Sequence, residues 1–171
     1  DKKTLAISYF LASFISTLIV NLFALGLCFI YIGSNGWFMN VMDVLLILLN
    51  VVILTLFGCI LSSLINSFLS TQGQISAVGS IVSSMYGFIA GAYMPMSQFG
   101  TGLRNALLFL PTTYGTALMK NSVMTSTFRE LEKIIPNGAI TSLKESIDIR
   151  LIFNNNVVNL STMYLIVIIT I

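Results

Sequence analysis

The 171-residue sequence predicts an all-α integral membrane protein, a polytopic helical bundle with a re-entrant helical hairpin between its last two spans. Three observations carry that prediction. Hydrophobic residues make up 56% of the chain and charged residues 8%, where an ordinary soluble domain carries about 25% charged. Several stretches reach the roughly 20 apolar residues needed to cross a hydrocarbon core of about 30 Å. The third of these runs into GFIAGAYMP, residues 87–95, after which SQFGTGLRNALLFLP forms an apolar segment too short to cross, closed by Pro111.

Residues 4–33 carry no charge and make the first span, with Lys2 and Lys3 at a membrane face. A secretory signal would have a shorter apolar core and a small-residue cleavage site; neither is present. Residues 41–69 make the second span, charged only at Asp43, which suits the positive end of its helix dipole. Residues 75–94 make the third. Residues 157–171 begin a last span that would reach only about 22 Å as a helix, so the chain reads as one transmembrane domain that is a piece of a longer protein.

Within the third span, Gly79, Ser83, Gly87 and Gly91 recur every four residues and line one helix face, with Ser76, Ser80 and Ser84 beside them. Small residues let helix backbones approach closely where no hydrophobic effect drives helices together in lipid, so this face is expected to pack against protein. Asn21 and Asn50 lie at similar depths, about 16 Å and 13 Å below the first turn. They are expected either to meet across the two helices or to line a substrate path. Cys28 and Cys59 lie at different depths, about 6 Å and 27 Å, which rules against a disulfide between them.

After the third span, Pro95 removes a donor and disfavours helix at Met94, Gly100 and Gly102 supply a turn, and Pro111 interrupts again. The expected object is a pair of short helices, about 97–110 and 112–123, folded as a re-entrant hairpin that marks a gate or plug. Non-helical backbone at this depth must be buried in protein or line water. Gly91, Pro95, Gly100, Gly102 and Pro111 are the candidate gate residues. Residues 125–152 then predict an amphipathic cap. Thr127 and Glu130 form a capping box, with Phe128, Leu131, Ile134 and Ile135 on one face of a short helix ended by PNG at 136–138. Ile140, Leu143, Ile147 and Leu151 then oppose Lys144, Glu145, Asp148 and Arg150. The region reads as an extracytoplasmic cap or as a helical pair lying in the membrane interface.

Several function classes are excluded. There is no histidine, so zinc-protease signatures and histidine-dependent nucleophiles are absent. No phosphate-cradling GxxxxGK[ST] loop occurs. No acidic residue sits near the middle of a span, where a coupled carrier keeps its carboxylate. A net charge of +2 without a basic stripe argues against nucleic acid. No catalytic, cofactor-binding or metal-ligating set emerges.

The segment GFIAGAYMPMSQFGTGLRNALLFLPTTYGTALMKNSVM resembles the membrane subunits of ATP-binding-cassette exporters, the ABC-2 type permeases of Gram-positive bacteria. The resemblance is carried by 75–124. It implies spans three to five of a six-span permease, an extracellular re-entrant hairpin and the start of span six, with two earlier spans preceding Asp1. It also implies a multi-pass protein of the bacterial plasma membrane. Its partners would be a second permease copy and an ATPase subunit that binds the ATP and Mg²⁺, leaving no cofactor in this chain. Lys and Arg counts alone would place the hairpin inside, because six basic residues run from Arg104 to Arg150 against Lys2 and Lys3; the resemblance places it outside. The alternative is a channel or secondary carrier gated by its own hairpin.

Overall fold

A computed structural model describes residues 2–132, 137–147, 149, 151–153 and 156–170. Their order is α1 (Lys2–Asn35), α2 (Val41–Ser67), α3 (Gln72–Ile89), a 3₁₀ turn (Met96–Gln98), α4 (Thr101–Leu107), α5 (Pro111–Leu131) and α6 (Asn137–Ser146). An antiparallel two-residue pair, β1 (Ile152–Phe153) with β2 (Asn156–Val157), then leads to α7 (Leu160–Ile169).

Of these helices, α1 and α2 are long and apolar enough to cross a membrane. α1 has 34 residues, about 51 Å of helix. Most of its large apolar side chains are exposed, as suits a helix that faces lipid along much of its length. The turn between α1 and α2 is made by Gly36, whose φ of 124° is open to glycine. Trp37 folds back edge-on to Phe29, with ring centroids 5.9 Å apart.

α5 is the centre of the fold. It packs against α2 on one side and α7 on the other, and α1 packs against α2. Its buried residues include Thr112, Thr113, Gly115, Ser122 and Ser126, a composition that lipid would not tolerate uncovered. Tyr114, Ala117 and Leu118 join Met163 and Val167 of α7 in one apolar cluster, while Met119 and Val123 pack on the cluster that α1 and α2 share. Phe128, near the C-terminal end of α5, meets Ile140 of α6 and Ile149. α5 runs antiparallel to α2: Arg129 lies at Asp43, Ser122 at Asn50, and Gly115 at Leu54.

Several expected elements change. The hairpin's first arm shrinks to the 3₁₀ turn and the seven-residue α4, whereas its second arm extends to 21 residues. The capping box expected at Thr127 and Glu130 does not form, because both residues lie inside α5. No breaker interrupts the chain after Pro111, and burial against both neighbours carries the helix on. Asn137 opens α6 instead of following a helix end. Ile134, Ile135 and Pro136, with Asp148 and Arg150, lie outside the described residues. The expected apolar side of the cap divides: Ile140 is buried, Leu143 is 40% exposed, and Leu151 joins the α5–α7 cluster. α7 starts at Leu160 instead of 157, because Val157 pairs with Ile152 in the short ladder and Asn159 takes the N-cap position.

At Gly115 the missing side chain makes room for Leu54 of α2, since a Cβ at this position would overlap Leu54 Cδ2. Gly115→Ala should therefore destabilise the protein by overpacking, by about 1–3 kcal/mol. Thermal unfolding of the purified protein measures this. The double variant Leu54→Ala/Gly115→Ala should lose less than the sum of its single variants, and strict additivity would contradict the close approach.

Candidate functional site

The break after α3 is built from the sequence upward. Thr71 caps the start of the helix, its hydroxyl accepting from the Gln74 amide at 3.3 Å. The helix ends five residues before the expected limit at 94, because Gly91 adopts φ 73°, a left-handed conformation open to glycine. The Ala92 amide donates to the Gly87 carbonyl at 2.8 Å and the Gly91 amide to that of Phe88 at 3.1 Å, the paired bonds of a Schellman stop. Tyr93 then folds back over Gly87, where a Cβ would overlap its ring, and stands edge-on to Phe88 at 5.4 Å.

Two side chains of α5, one helical turn apart, reach this end. Thr116 Oγ1 donates to the Ala90 carbonyl at 2.6 Å, and Lys120 Nζ donates to the Gly91 carbonyl at 2.6 Å and the Ile147 carbonyl at 3.3 Å. α3 has no basic residue in its last turn, so the cation that complements its dipole comes from α5.

The remaining gate candidates lie along the return path. Pro95 is the N-cap of the 3₁₀ turn, and Pro111 is the first residue of α5, where its missing N–H costs nothing. Gly100 is the N-cap of α4 with negative φ, and Gly102 lies inside that helix, so neither makes the expected glycine turn. The turn into α5 is held instead by Thr113 Oγ1, which donates to the Leu107 carbonyl at 2.9 Å.

The row Gly79, Ser83, Gly87, Gly91 divides in two. Gly87 and Gly91 shape the helix end. Gly79 and Ser83 are exposed, nothing among the described residues lies within 4 Å of a Cβ at Gly79, and α3 contributes no buried residue. The hydroxyls beside them bond their own helix, Ser80 to the Ser76 carbonyl at 3.0 Å and Ser84 to that of Ser80 at 2.8 Å.

Asn21 and Asn50 do not meet. Asn21 donates to Thr55 Oγ1 at 2.9 Å across α1 and α2, and Asn50 donates to Ser122 Oγ at 2.7 Å across α2 and α5. The reason is register: α1 continues to Asn35, which puts Asn21 level with Thr55, each about 21 Å along its helix from the connecting turn. Cys28 and Cys59 are both free.

At the far end of α5, a cavity of about 610 Å³ opens among α5, α6 and the start of α7. Its charged groups are mutually paired or held from behind. Arg129 lies 3.4 Å from Asp43, which also accepts from the Asn40 amide at 3.0 Å, and Lys144 lies 2.8 Å from Glu132 and over the Phe128 ring at 5.2 Å. The hydrogen bond and charge of Lys144 hold the Glu132 carboxyl below its ordinary range. A lowered folded value means that the pair contributes above the ordinary glutamate range and is lost as pH falls through that lowered value. Among the described residues no group of three or more His, Cys, Asp or Glu side chains could hold a metal ion.

Sequence reasoning missed Thr116, Lys120, Ser122, Thr55 and Arg129 as partners. The one available signal was TYGTALMK, which puts a hydroxyl and a cation four residues apart just after a glycine–proline break.

A family model described as ABC-2 family transporter protein matches residues 4–171. No curated protein and no solved structure matches the chain.

The Asn50–Ser122 bond should couple α2 to α5 measurably. A double-mutant cycle with Asn50→Val and Ser122→Ala, read by thermal unfolding, is expected to give a coupling of about 0.6 kcal/mol and at most about 1.7. Zero coupling would mean that the two side chains stabilise the protein independently.

Proposed function

The chain belongs to the ABC-2 family of transporter proteins, and on that premise we propose that it forms the substrate path of an exporter driven by a separate ATPase subunit or domain. Family membership makes it a membrane component of an ATP-binding-cassette transporter. The match over 4–171 is the observation that carries the reading, because it takes in the two long apolar helices together with the broken end of α3 and the buried α5.

In this reading the α1–α2 turn and the break after α3 face outward across the bacterial plasma membrane, and the turn between α2 and α3 faces the ATPase. Gly91, Pro95, Gly100, Gly102 and Pro111 shape the outward gate, with α4 and α5 as the two arms of a re-entrant hairpin. The exposed half of the small-residue row, Gly79 and Ser83, is where a second permease copy packs, and substrate passes along the seam between copies. What supports the placement is that this face meets nothing among the described residues.

Capture of the full-length protein from its native membrane tests the central claim. An ATPase should copurify, and the assembly should hydrolyse ATP; a chain that moves solute with no ATPase bound would defeat the exporter reading. Sidedness has its own readout. Cysteines placed at Ser34 and Ser97, both exposed, should react with an impermeant thiol reagent added outside intact cells, whereas one at Ser70 should not. The opposite pattern would invert the orientation. Oxidation of a Ser83→Cys variant should link two copies of the chain, and its failure to do so at any oxidant level would remove α3 from the interface.

A further inference from the structure

Lys120 is a half-buried cation on α5, the most extensively covered of the described helices, and three segments meet at it. Its ammonium donates to the carbonyl of Gly91, where α3 stops, and to that of Ile147, just after α6. Thr116, one turn earlier on α5, donates to the next carbonyl back, Ala90. From these contacts we infer that Lys120 is the positioning residue of the outward gate, a clasp that fixes the broken end of α3 and the segment after α6 onto α5. The inference deepens the exporter reading and rests on it for the word gate; the clasp itself does not.

The chemistry makes the clasp two-state. Residues at a helix end leave carbonyls without intrahelical partners. The Schellman bonds use the carbonyls of Gly87 and Phe88, which leaves those of Ile89, Ala90 and Gly91 outside the helical ladder, and α5 serves the last two. An ammonium at membrane depth is equally dependent, because without carbonyl or water ligands it is costly. Separation costs the ammonium these two hydrogen bonds and leaves both carbonyls to be satisfied by water. Along α3 itself packing opposes separation only weakly, since the helix contributes no fully buried residue, whereas at the break Ala90 and Met96 are buried and must be uncovered as it opens. Besides the two α5 donors, a further link near the break is Ser97 Oγ to the Ser146 carbonyl at 3.5 Å, which again ties the hairpin to the end of α6.

Such an element can respond to events at the other end of α3. α3 begins at the turn after α2 and ends at the clasp, so a displacement at its start is carried along the helix to the point where Lys120 holds it. Opening then consists of withdrawing the Gly91 and Ile147 carbonyls from one ammonium, and closing consists of restoring them.

The experiment uses the full-length protein with its partners, in membranes, and reads local opening through a cysteine at Met96, which is 2% exposed. Labelling of Met96→Cys by an impermeant maleimide should be slow with Lys120 present. In Lys120→Met, which keeps the length and removes the charge, it should be about tenfold to a hundredfold faster, the range expected for loss of a charged hydrogen bond. Lys120→Arg should restore slow labelling. A cysteine at Ile47, fully buried between α1 and α2, should stay protected in every background. Equal Met96→Cys rates in Lys120 and Lys120→Met protein overturn the inference. So does acceleration at Ile47→Cys, which would make Lys120 a general stabilising residue. Because labelling needs neither ATP nor substrate, the clasp survives or falls independently of the exporter reading. If both hold, trapping the ATPase in its ATP-bound form should accelerate Met96→Cys labelling in Lys120 protein, and an unchanged rate would detach the clasp from the transport cycle.

Discussion

The constraint on which the fold depends is the burial of α5. A helix carrying Thr112, Thr113, Thr116, Lys120, Asn121, Ser122, Thr125 and Ser126 has a satisfied backbone, but its side chains cannot face lipid. α2 covers one side, α7 the other, and the end of α3 with the segment after α6 takes the carbonyl-seeking groups between them. Each covering element also supplies a partner. Asn50 serves Ser122, Asp43 serves Arg129, and the stop of α3 serves Thr116 and Lys120. The apolar helices are thus placed by a polar one.

The same constraint explains which features were legible in the sequence. Uninterrupted apolar runs identified α1 and α2 closely, because helix length in lipid follows from hydropathy. The GAYMP break was legible because glycine and proline act locally: Gly91 ends α3 through its own backbone conformation, and Pro111 starts α5 through its own ring. Beyond reach was everything set by neighbours. The capping box at Thr127 and Glu130 has correct local chemistry, yet burial of Ser126 and Phe128 holds the surrounding backbone in α5. Asn21 meets Thr55 and not Asn50 because α1 runs on to Asn35, and a shift of that size moves the whole register. No pattern in a single sequence reports such a shift.

The small-residue row shows how one spacing can serve two purposes. At Gly79 and Ser83 the absence of a large side chain leaves a smooth, unpartnered helix face. At Gly87 and Gly91 the same absence accommodates a tyrosine ring and a left-handed backbone. A period of four residues cannot distinguish them, because both uses need only that no Cβ project. The distinction comes from the residues downstream: Tyr93 and Pro95 turn the last two glycines into a helix end, and nothing comparable comes after Gly79.

The distribution of side-chain bonds also divides the bundle mechanically. α1, α2 and α5 are tied at several depths, by Asn21 to Thr55, Asn50 to Ser122 and Asp43 to Arg129, and Leu54 fits against Gly115 between them. Sliding α5 along α2 would break both polar α2–α5 ties together, leaving the buried Asn50 and Ser122 unpaired and Asp43 without Arg129, so this pair moves as one body. α3 has no corresponding ties along its length. It is fastened to α5 at its C-terminal end by two donors, and among the described residues the rest of the helix is half-buried on one face and exposed on the other. A transporter that works by changing shape needs a part that moves against a part that does not, and in this fold the boundary between them runs through the carbonyls of Ala90 and Gly91.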